Sequence, residues 1–244
     1  MSGIRLAMWS GPRNISTAMM RAFENRSDCF VSDEPLYAAF LKQTGLEHPG
    51  AAEVIAEGEC DWRNVTDYLT GPIPGEKKLW YQKHMSHHLL PDMEHAWIYG
   101  LCNVFLIRQP DAVVASYIKS RSEITPEDIG LLQQAVLFDE LRQKTGKSPL
   151  IIDSGEFLGN PRGFLEVLCT HAGVEFEPTM LSWPAGQRDS DGIWAKHWYA
   201  SVWRSTGFET RMERLPDLSK EHQKIADACR PAYAKLAELR VRLP

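Results

Sequence analysis

The stretch Ser10-Gly-Pro-Arg-Asn-Ile-Ser-Thr17 lies between an apolar run and a helical pattern and carries several hydrogen-bond donors. Backbone N–H groups at such a strand–loop–helix turn point at an anion, and the helix dipole favours negative charge there. Arg13 adds a planar fork of donors suited to phosphate or sulfate, and Ser16 and Thr17 add hydroxyl groups. The stretch therefore predicts an anion-binding loop. A capped helix start beside a solvated arginine stays open as the alternative.

The loop lacks the lysine of the nucleotide-hydrolase P-loop. In that motif Gly-Lys-Ser/Thr follows the first glycine and four further residues. Ser16, Thr17 and Ala18 stand at the matching positions after Gly11. The lysine that reaches the phosphates is absent, and so is the hydroxyl that holds Mg²⁺. A kinase or hydrolase is therefore the weaker alternative function, and a nucleotide-binding protein without catalysis is another.

A second anion site is predicted in Phe105-Leu-Ile-Arg-Gln-Pro-Asp-Ala-Val-Val-Ala-Ser-Tyr117. An apolar strand ends at Arg108, a turn contains Pro110, and the helix that follows carries Ser116. An arginine and a serine on either side of such a turn can converge on one phosphate, with the arginine supplying charge-assisted hydrogen bonds. The structural alternative is a charged strand end and a serine that bonds to its own helix backbone.

The elements that position these residues alternate between strands and helices. Near-continuous apolar runs are typical of strands buried on both faces of a parallel sheet. They occur at Ile4–Trp9, Cys29–Ser32, Leu79–Gln82, Asn103–Ile107 and Leu150–Ile152. Helical patterns occur at Ser16–Asn25, at Asp111–Ser120, after Thr125 and from Ser219 to about Val241. The alternation predicts an α/β fold of the P-loop type, with three α/β/α layers and a mainly parallel sheet. Ligands then bind at the carboxyl ends of the strands.

Two stretches, residues 45–78 and 183–218, interrupt this alternation and are rich in Gly, Pro and Trp. They are predicted to be irregular excursions, or lids, on a single domain that spans residues 1–244. The second stretch contains an aromatic cluster whose faces suit an adenine or an apolar acceptor. Core packing is the simpler explanation for at least half of the cluster. Its members are Trp183, Trp194, Trp198, Tyr199 and Trp203.

Composition narrows the class of partner. The formal net charge of −5 disfavours a nucleic-acid partner. The 5 cysteines include no CxxC pair, which indicates a reduced, cytoplasmic protein. Arg5 and Arg13 interrupt the first apolar run, so no signal peptide is expected. No uncharged apolar run reaches the roughly 18 residues of a membrane span, so no membrane partner is expected. Oligomerisation stays open.

The two anion-binding stretches together resemble the sulfotransferases that use PAPS, 3′-phosphoadenosine 5′-phosphosulfate. The first loop is similar to that family's 5′-phosphosulfate loop, Pro-Lys/Arg-Ser-Gly-Thr-Thr, at Pro12, Arg13, Ser16 and Thr17. Arg-x-Pro at residues 108–110, followed by Ser116, is similar to its 3′-phosphate motif. Residues 151–161 and the helix after them also resemble the family, so that the likeness covers roughly residues 4–175.

The resemblance implies that PAPS is the sulfuryl donor and that PAP, the 3′,5′-bisphosphate, is the product. The acceptor would be a hydroxyl or amine of a small-molecule or glycan-like compound. Two positions differ from the family: Ile15 stands where many members have glycine, and Ala18 where cytosolic members have a tryptophan on the adenine. Residues 203–207 are a looser match to the family's late Arg-Lys-Gly motif. The implied nucleotide-binding residues are Gly11, Pro12, Arg13, Asn14, Ile15, Ser16, Thr17, Arg108, Ser116 and Arg204.

Sulfuryl transfer requires a base for the acceptor's proton and positive charge beside the leaving phosphate. Arg13 is expected to supply that charge. The resemblance offers two bases: His84, similar to the base of cytosolic members, and Glu34, similar to the base of heparan-modifying members. His84 is slightly favoured because a histidine titrates near neutral pH without tuning. Glu34 would need a raised pKa or a strong orientation effect.

A metal site is a minor alternative for the histidine-rich segment at residues 84–88. His84 and His88 have the spacing that places two side chains on one face of a helix. No HExxH motif or cysteine pair accompanies them, although zinc sites usually need such partners. No metal is therefore expected in the site.

Overall fold

The structure is a computed structural model that describes residues 3–121, 123–209 and 217–243. Its described part contains a parallel sheet of five strands in the order β2-β3-β1-β4-β5. This confirms the predicted α/β fold with a mainly parallel sheet. β3 continues three residues beyond its predicted end at Gln82. The strands are β1 (Ile4–Ser10), β2 (Cys29–Asp33), β3 (Leu79–Met85), β4 (Cys102–Ile107) and β5 (Leu150–Asp153).

Helices cover both faces of the sheet, which gives the three predicted layers. On one face α5, α6 and α11 pack over Trp9, Trp80 and Phe105. On the other face α1 and α8 pack over Met8, Tyr81 and neighbouring strand residues. The helices are α1 (Ser16–Glu24), α2 (Tyr37–Thr44), α3 (Ala51–Glu57), α4 (Trp62–Thr70), α5 (Pro110–Tyr117), α6 (Leu131–Thr145), α7 (Ser154–Gly159), α8 (Pro161–Ala172), α9 (Ala195–Trp198), α10 (Ala200–Arg204) and α11 (Lys220–Glu238). Among these described helices, none combines the length and apolarity of a membrane span.

The strand order creates a crevice at the carboxyl ends of β1 and β4. β1 lies at the centre of the sheet, and the chain leaves it toward β2 on one side. The chain leaves β4, the neighbour of β1, toward β5 on the other side. Connections that depart in opposite directions from adjacent parallel strands leave a ligand-binding crevice between them. The loop after β1 and the turn after β4 are the two segments predicted to bind anions.

The two predicted excursions contain short helices. Residues 45–78 carry α3 and α4, and the second excursion carries α9 and α10. Residues 210–216 of the second excursion lie outside the described residues. Trp183 packs in the core with only 3% of its surface exposed, as the simpler explanation of the tryptophan cluster requires. The single-domain organisation stays a prediction.

Candidate functional site

A cavity of about 840 Å³ opens at the carboxyl edge of the sheet. It brings together residues from four segments that the sequence singled out: the loop after β1, the end of β2, the turn after β4 and α10. Two predicted site residues, Gly11 and His84, are not among the residues that line it. The predicted residues that line it are Pro12, Arg13, Asn14, Ile15, Ser16, Thr17, Glu34, Arg108, Ser116 and Arg204.

Arg13 and Arg108 share this cavity and contact each other. Nε of Arg13 donates to Oγ of Ser116 at 3.0 Å, and Nη1 of Arg108 donates to the backbone oxygen of Arg13 at 2.6 Å. Burial, together with the positive charge of Arg108, lowers the pKa of Arg13. Two guanidinium groups that line one cavity create a local positive potential in a protein whose net charge is negative. The arrangement suits an anion with charge at both ends.

The loop after β1 holds a strained backbone. Arg13 and Ile15 have φ angles of 57° and 44°, in the left-handed region that favours glycine. For a β-branched residue such as Ile15 this conformation costs about 1–3 kcal/mol, which the surrounding structure must offset. Asn14 supports the loop, because its Nδ2 donates to the backbone oxygen of Leu106 at 2.5 Å.

Gly11 positions the loop without lining the cavity. A Cβ at this residue would lie 2.1 Å from the backbone oxygen of Ile129, so no side chain fits there. The segment before α6 therefore packs directly on the backbone of the loop. The structure thus shows close packing at Gly11, and its role in anion binding stays a prediction.

A buried ionic network lies beside the loop, between β2 and β3. Nζ of Lys83, which is fully buried, donates to Oδ1 of Asp33 at 2.8 Å, to Oε1 of Glu34 at 2.6 Å and to the Tyr199 hydroxyl at 2.7 Å. The Tyr199 hydroxyl in turn donates to Asp33, at 2.6 Å from Oδ2. All three hydrogens of the ammonium group are thereby used. The network joins the second excursion to the sheet.

Glu34 is the carboxylate of this network that faces the cavity. Burial raises the pKa of Glu34, and the charge of Lys83 opposes the rise. Although burial alone lowers the pKa of Lys83, Asp33 and Glu34 hold it well above its ordinary value. The backbone N–H of Glu34 donates to the Lys83 carbonyl at 2.9 Å and fixes the residue at the end of β2. A buried carboxylate with a raised pKa is suited to accept a proton near neutral pH.

His84 lies on the other face of β3, away from the cavity. Its ring stacks on Trp9 with centroids 4.3 Å apart, and its Nε2 lies 3.3 Å from Oε1 of Gln82. Burial lowers the pKa of His84 to about 3. Neighbouring residues of a strand point to opposite faces, so Lys83 faces the site and His84 faces the core. Of the two predicted bases, Glu34 therefore lines the cavity and His84 does not; the identity of the base stays a prediction.

Aromatic and imidazole side chains form another part of the cavity lining. Burial lowers the pKa of His48 and of His87 to about 4, and that of His88 well below its ordinary value. These rings are therefore neutral at physiological pH. Among the described residues no three potential metal ligands converge, and His88 stacks between Tyr37 and Phe40. The residues of this aromatic wall are Tyr37, His48, His87, His88, Tyr117 and Trp198.

The second excursion is fastened to α1 by a buried ion pair. Arg21, which is 1% exposed, donates from Nη2 to Asp191 at 2.5 and 2.7 Å. Asp191 also accepts from Nε1 of Trp203 at 3.0 Å. This contact holds the segment that brings Trp198 and Arg204 to the cavity. Arg21, Asp33 and Asp191 were not identified as site-forming residues from the sequence, and Tyr199 was identified only as a member of the aromatic cluster. The signal that could have indicated this network is Lys83, which directly follows the apolar run Leu79–Gln82, because a lysine is rarely buried without a partner.

Comparison with known proteins agrees with this geometry. A family model described as "Sulfotransferase domain" matches residues 4–238. Two Arabidopsis thaliana proteins, branched-chain-amino-acid aminotransferase-like proteins 1 and 2, are each 35% identical over 226 residues. These matches cover 92% of this chain but 40% of each relative, so the chain spans less than half the length of those relatives.

Two solved structures share the fold. The sulfotransferase domain from the curacin biosynthetic pathway has a TM-score of 0.54 and 16% identity, with 100% of this chain and 99% of that chain covered. A sulfotransferase from Alicyclobacillus acidocaldarius has a TM-score of 0.55 and 12% identity, with 99% and 98% covered. At these identities the likeness shows the fold.

Proposed function

Because the chain belongs to the sulfotransferase family, we propose that it transfers a sulfuryl group from PAPS to a hydroxyl or amine of a small acceptor. The observation that carries this proposal is the contact between the two phosphate-type motifs in one cavity. Arg13 bonds to Ser116, and Arg108 bonds to the backbone of Arg13. A nucleotide with phosphate groups at both ends requires two cationic sites that face one space.

The roles in nucleotide binding divide between the loop and α5. Arg13, Ser16, Thr17 and the loop N–H groups are suited to the 5′-phosphosulfate. Arg108 and Ser116 are suited to the 3′-phosphate, and Arg204 reaches the same cavity from α10. Bound PAPS supplies the activated sulfuryl group. Arg13 remains protonated, so it stabilises charge on the leaving phosphate oxygen and does not donate a proton.

Glu34 is the proposed general base. Its raised pKa brings its proton affinity closer to the operating pH, which makes proton transfer from the acceptor more efficient. Lys83 holds Oε1 of this carboxylate at 2.6 Å and so fixes the group that receives the proton. His84, stacked on Trp9 in the core, takes no part.

The acceptor is proposed to bind against the aromatic wall. The cavity of about 840 Å³ falls within the roughly 300–1,000 Å³ typical of small-ligand pockets, and the nucleotide would fill part of it, so the space left fits a small acceptor. The five cysteines are free, which supports the cytoplasmic location expected from the sequence. The names of the two Arabidopsis relatives refer to an aminotransferase-like protein much longer than this chain, and we propose no such activity here.

Binding of PAP and turnover of PAPS test the proposal. Calorimetry is expected to detect PAP binding, and absence of binding at about millimolar concentration would contradict the proposal. PAPS turnover is then followed with a panel of phenols, alcohols and amines. Glu34→Gln is expected to lower turnover about 100-fold or more, the contribution of a general base, and to leave PAP binding unchanged.

The matched control is Glu57→Gln, because Glu57 is an exposed glutamate on α3. Equal turnover in Glu34→Gln and this control would remove Glu34 from the mechanism. Mg²⁺-dependent hydrolysis of ATP that is lost in Arg13→Ala would instead support the kinase or hydrolase alternative.

A further inference from the structure

Tyr37 has a fixed ring at the cavity, close to Glu34 in the chain. It begins α2, and its N–H donates to the backbone oxygen of Glu34 at 3.0 Å. The ring stacks on His88 at 4.8 Å with an interplanar angle of 4°, and the edge of Trp194 meets it at 5.1 Å. Tyr37 is 3% exposed and lines the same cavity as the proposed base. Its hydroxyl lies 2.9 Å from Nδ1 of His48.

Arg121 determines the direction of that hydrogen bond. Nη1 of Arg121 lies 3.1 Å from Nε2 of His48, and Asp128 holds the guanidinium at 3.3 Å. A guanidinium has donors and no acceptor, so Nε2 of His48 must be the unprotonated nitrogen. Burial and the charge of Arg121 lower the pKa of His48 to about 4, so the ring is neutral and carries one proton.

The single proton of His48 therefore lies on Nδ1, the nitrogen that faces Tyr37. Nδ1–H donates to the Tyr37 oxygen, so the Tyr37 O–H does not donate to His48. The phenol remains a donor with its ring fixed at the cavity wall. A buried donor requires a partner, and a bound ligand can supply it.

We propose that the Tyr37 hydroxyl donates a hydrogen bond to the reacting oxygen of the acceptor, and that Tyr37 thereby selects hydroxyl acceptors over amines. His48 and Arg121 are positioning residues that set the direction of this bond. The inference rests on the proposed sulfuryl transfer and narrows its acceptor from two classes to one.

The selectivity follows from counting lone pairs. A hydroxyl oxygen uses one lone pair to attack sulfur and can accept from Tyr37 with the other. An amine nitrogen has one lone pair, which cannot both attack and accept. In the proposed step the oxygen–sulfur bond of the product forms and the sulfur–oxygen bond to the nucleotide phosphate breaks. The acceptor's proton passes to Glu34, and the electron pair of the broken bond stays on the phosphate oxygen of PAP.

The tautomer of His48 tests the first part of the inference without any turnover. ¹⁵N NMR of the labelled chain distinguishes protonated from unprotonated ring nitrogens, and His48→Gln identifies the resonances of His48. We expect a proton on Nδ1 and none on Nε2. Arg121→Gln, whose amide can donate or accept, should shift part of the population to the other tautomer. A wild-type His48 that carries its proton on Nε2 would overturn the inference.

Tyr37→Phe tests the selectivity, with 4-methylphenol and 4-methylaniline as matched oxygen and nitrogen probes. Loss of one hydrogen bond is expected to lower kcat/KM for the phenol about fivefold and to leave that for the aniline within about twofold. PAP affinity should not change. Tyr68→Phe is the control, because Tyr68 is an exposed tyrosine. Equal losses for both probes would indicate a structural role and overturn the selectivity.

Failure of the inference can be separated from failure of the proposed function. If the wild-type chain does not bind PAP, the proposed function fails, while the tautomer measurement still stands. If PAP binds and the aniline is sulfated faster than the phenol, the inference fails and the proposed function stands. If neither probe is sulfated, the ¹⁵N measurement decides: a proton on Nδ1 supports the donor role of Tyr37, and a proton on Nε2 overturns it.

Discussion

Replacing Lys83 with methionine removes the cation of the buried network and keeps a side chain of similar length. Lys83 is fully buried, with Asp33 at 2.8 Å and Glu34 at 2.6 Å. Removing one partner of a buried ion pair leaves uncompensated charge in the interior, which costs about 3–5 kcal/mol. That loss is a large fraction of the roughly 5–15 kcal/mol by which most domains are stable.

The free energy of unfolding lost in Lys83→Met should depend on pH, and the raised pKa of Glu34 determines the direction of that dependence. The folded-state pKa of Glu34 is raised above its ordinary value of 4.5, and the variant lacks the charge that opposes this rise. Stability linked to Glu34 is therefore present below pH 4.5 and decreases as the pH rises through the folded-state pKa. In the wild-type chain, the stability linked to Lys83 decreases only above its ordinary pKa of 10.5. The protonation of Lys83 therefore adds no pH dependence between pH 4.5 and pH 10.5.

Urea unfolding followed by tryptophan fluorescence measures this effect. We expect the free energy of unfolding lost in Lys83→Met to be smaller at about pH 5 than at about pH 8. The difference should be at least 1.4 kcal/mol, the equivalent of about one pKa unit. Lys78→Met is the control, because Lys78 is exposed beside the same strand and should change stability by about 0.5 kcal/mol or less. A pH-independent loss, or one that grows toward acid pH, would refute the reasoning.

Three further substitutions test other parts of the structure, the first two by urea unfolding and the third by PAPS turnover. Gly11→Ala should destabilise by about 1–3 kcal/mol, because its Cβ would lie 2.1 Å from the Ile129 carbonyl oxygen; no loss would refute the close packing. Asp191→Asn should cost about 1.5–3 kcal/mol, because it removes the charged group that accepts two hydrogen bonds from Arg21 and leaves Glu24, at 3.1 Å, to pair with that guanidinium. A loss below about 1 kcal/mol would refute that. His84→Gln should leave PAPS turnover within about twofold, whereas a 100-fold loss would restore His84 as base.

The strands and the two turns that line the cavity were predictable because they depend on local pattern. Apolar runs, Pro110 and the residues of the loop each give a signal within a few positions. Which residues of β3 face the cavity was not predictable from such signals. Every residue of β3 is buried, so the strand shows no alternation of polar and apolar residues that would distinguish Lys83 from His84.

Hydrogen bonds between residues far apart in the sequence were also not predicted. Tyr199 lies 116 residues from Lys83 in sequence, and Arg121 lies 73 residues from His48. Both contacts join an irregular excursion to another element, and irregular segments carry no period that would place their side chains. The conformation of Ile15 is a further case. A β-branched residue gives no sign of a left-handed backbone, because the surrounding structure imposes that conformation against its preference.

The claim that Arg13 and Arg108 hold opposite ends of one nucleotide is tested most directly by calorimetry with PAP and adenosine 5′-phosphate, which lacks the 3′-phosphate. Arg108→Gln should weaken PAP binding about 10- to 100-fold, the value of one charged hydrogen-bonding partner. Adenosine 5′-phosphate should lose less than about threefold, and Arg162→Gln, an arginine of α8 paired with Glu166, should change neither. Equal weakening of both nucleotides by Arg108→Gln, or no effect on PAP, would contradict the assignment.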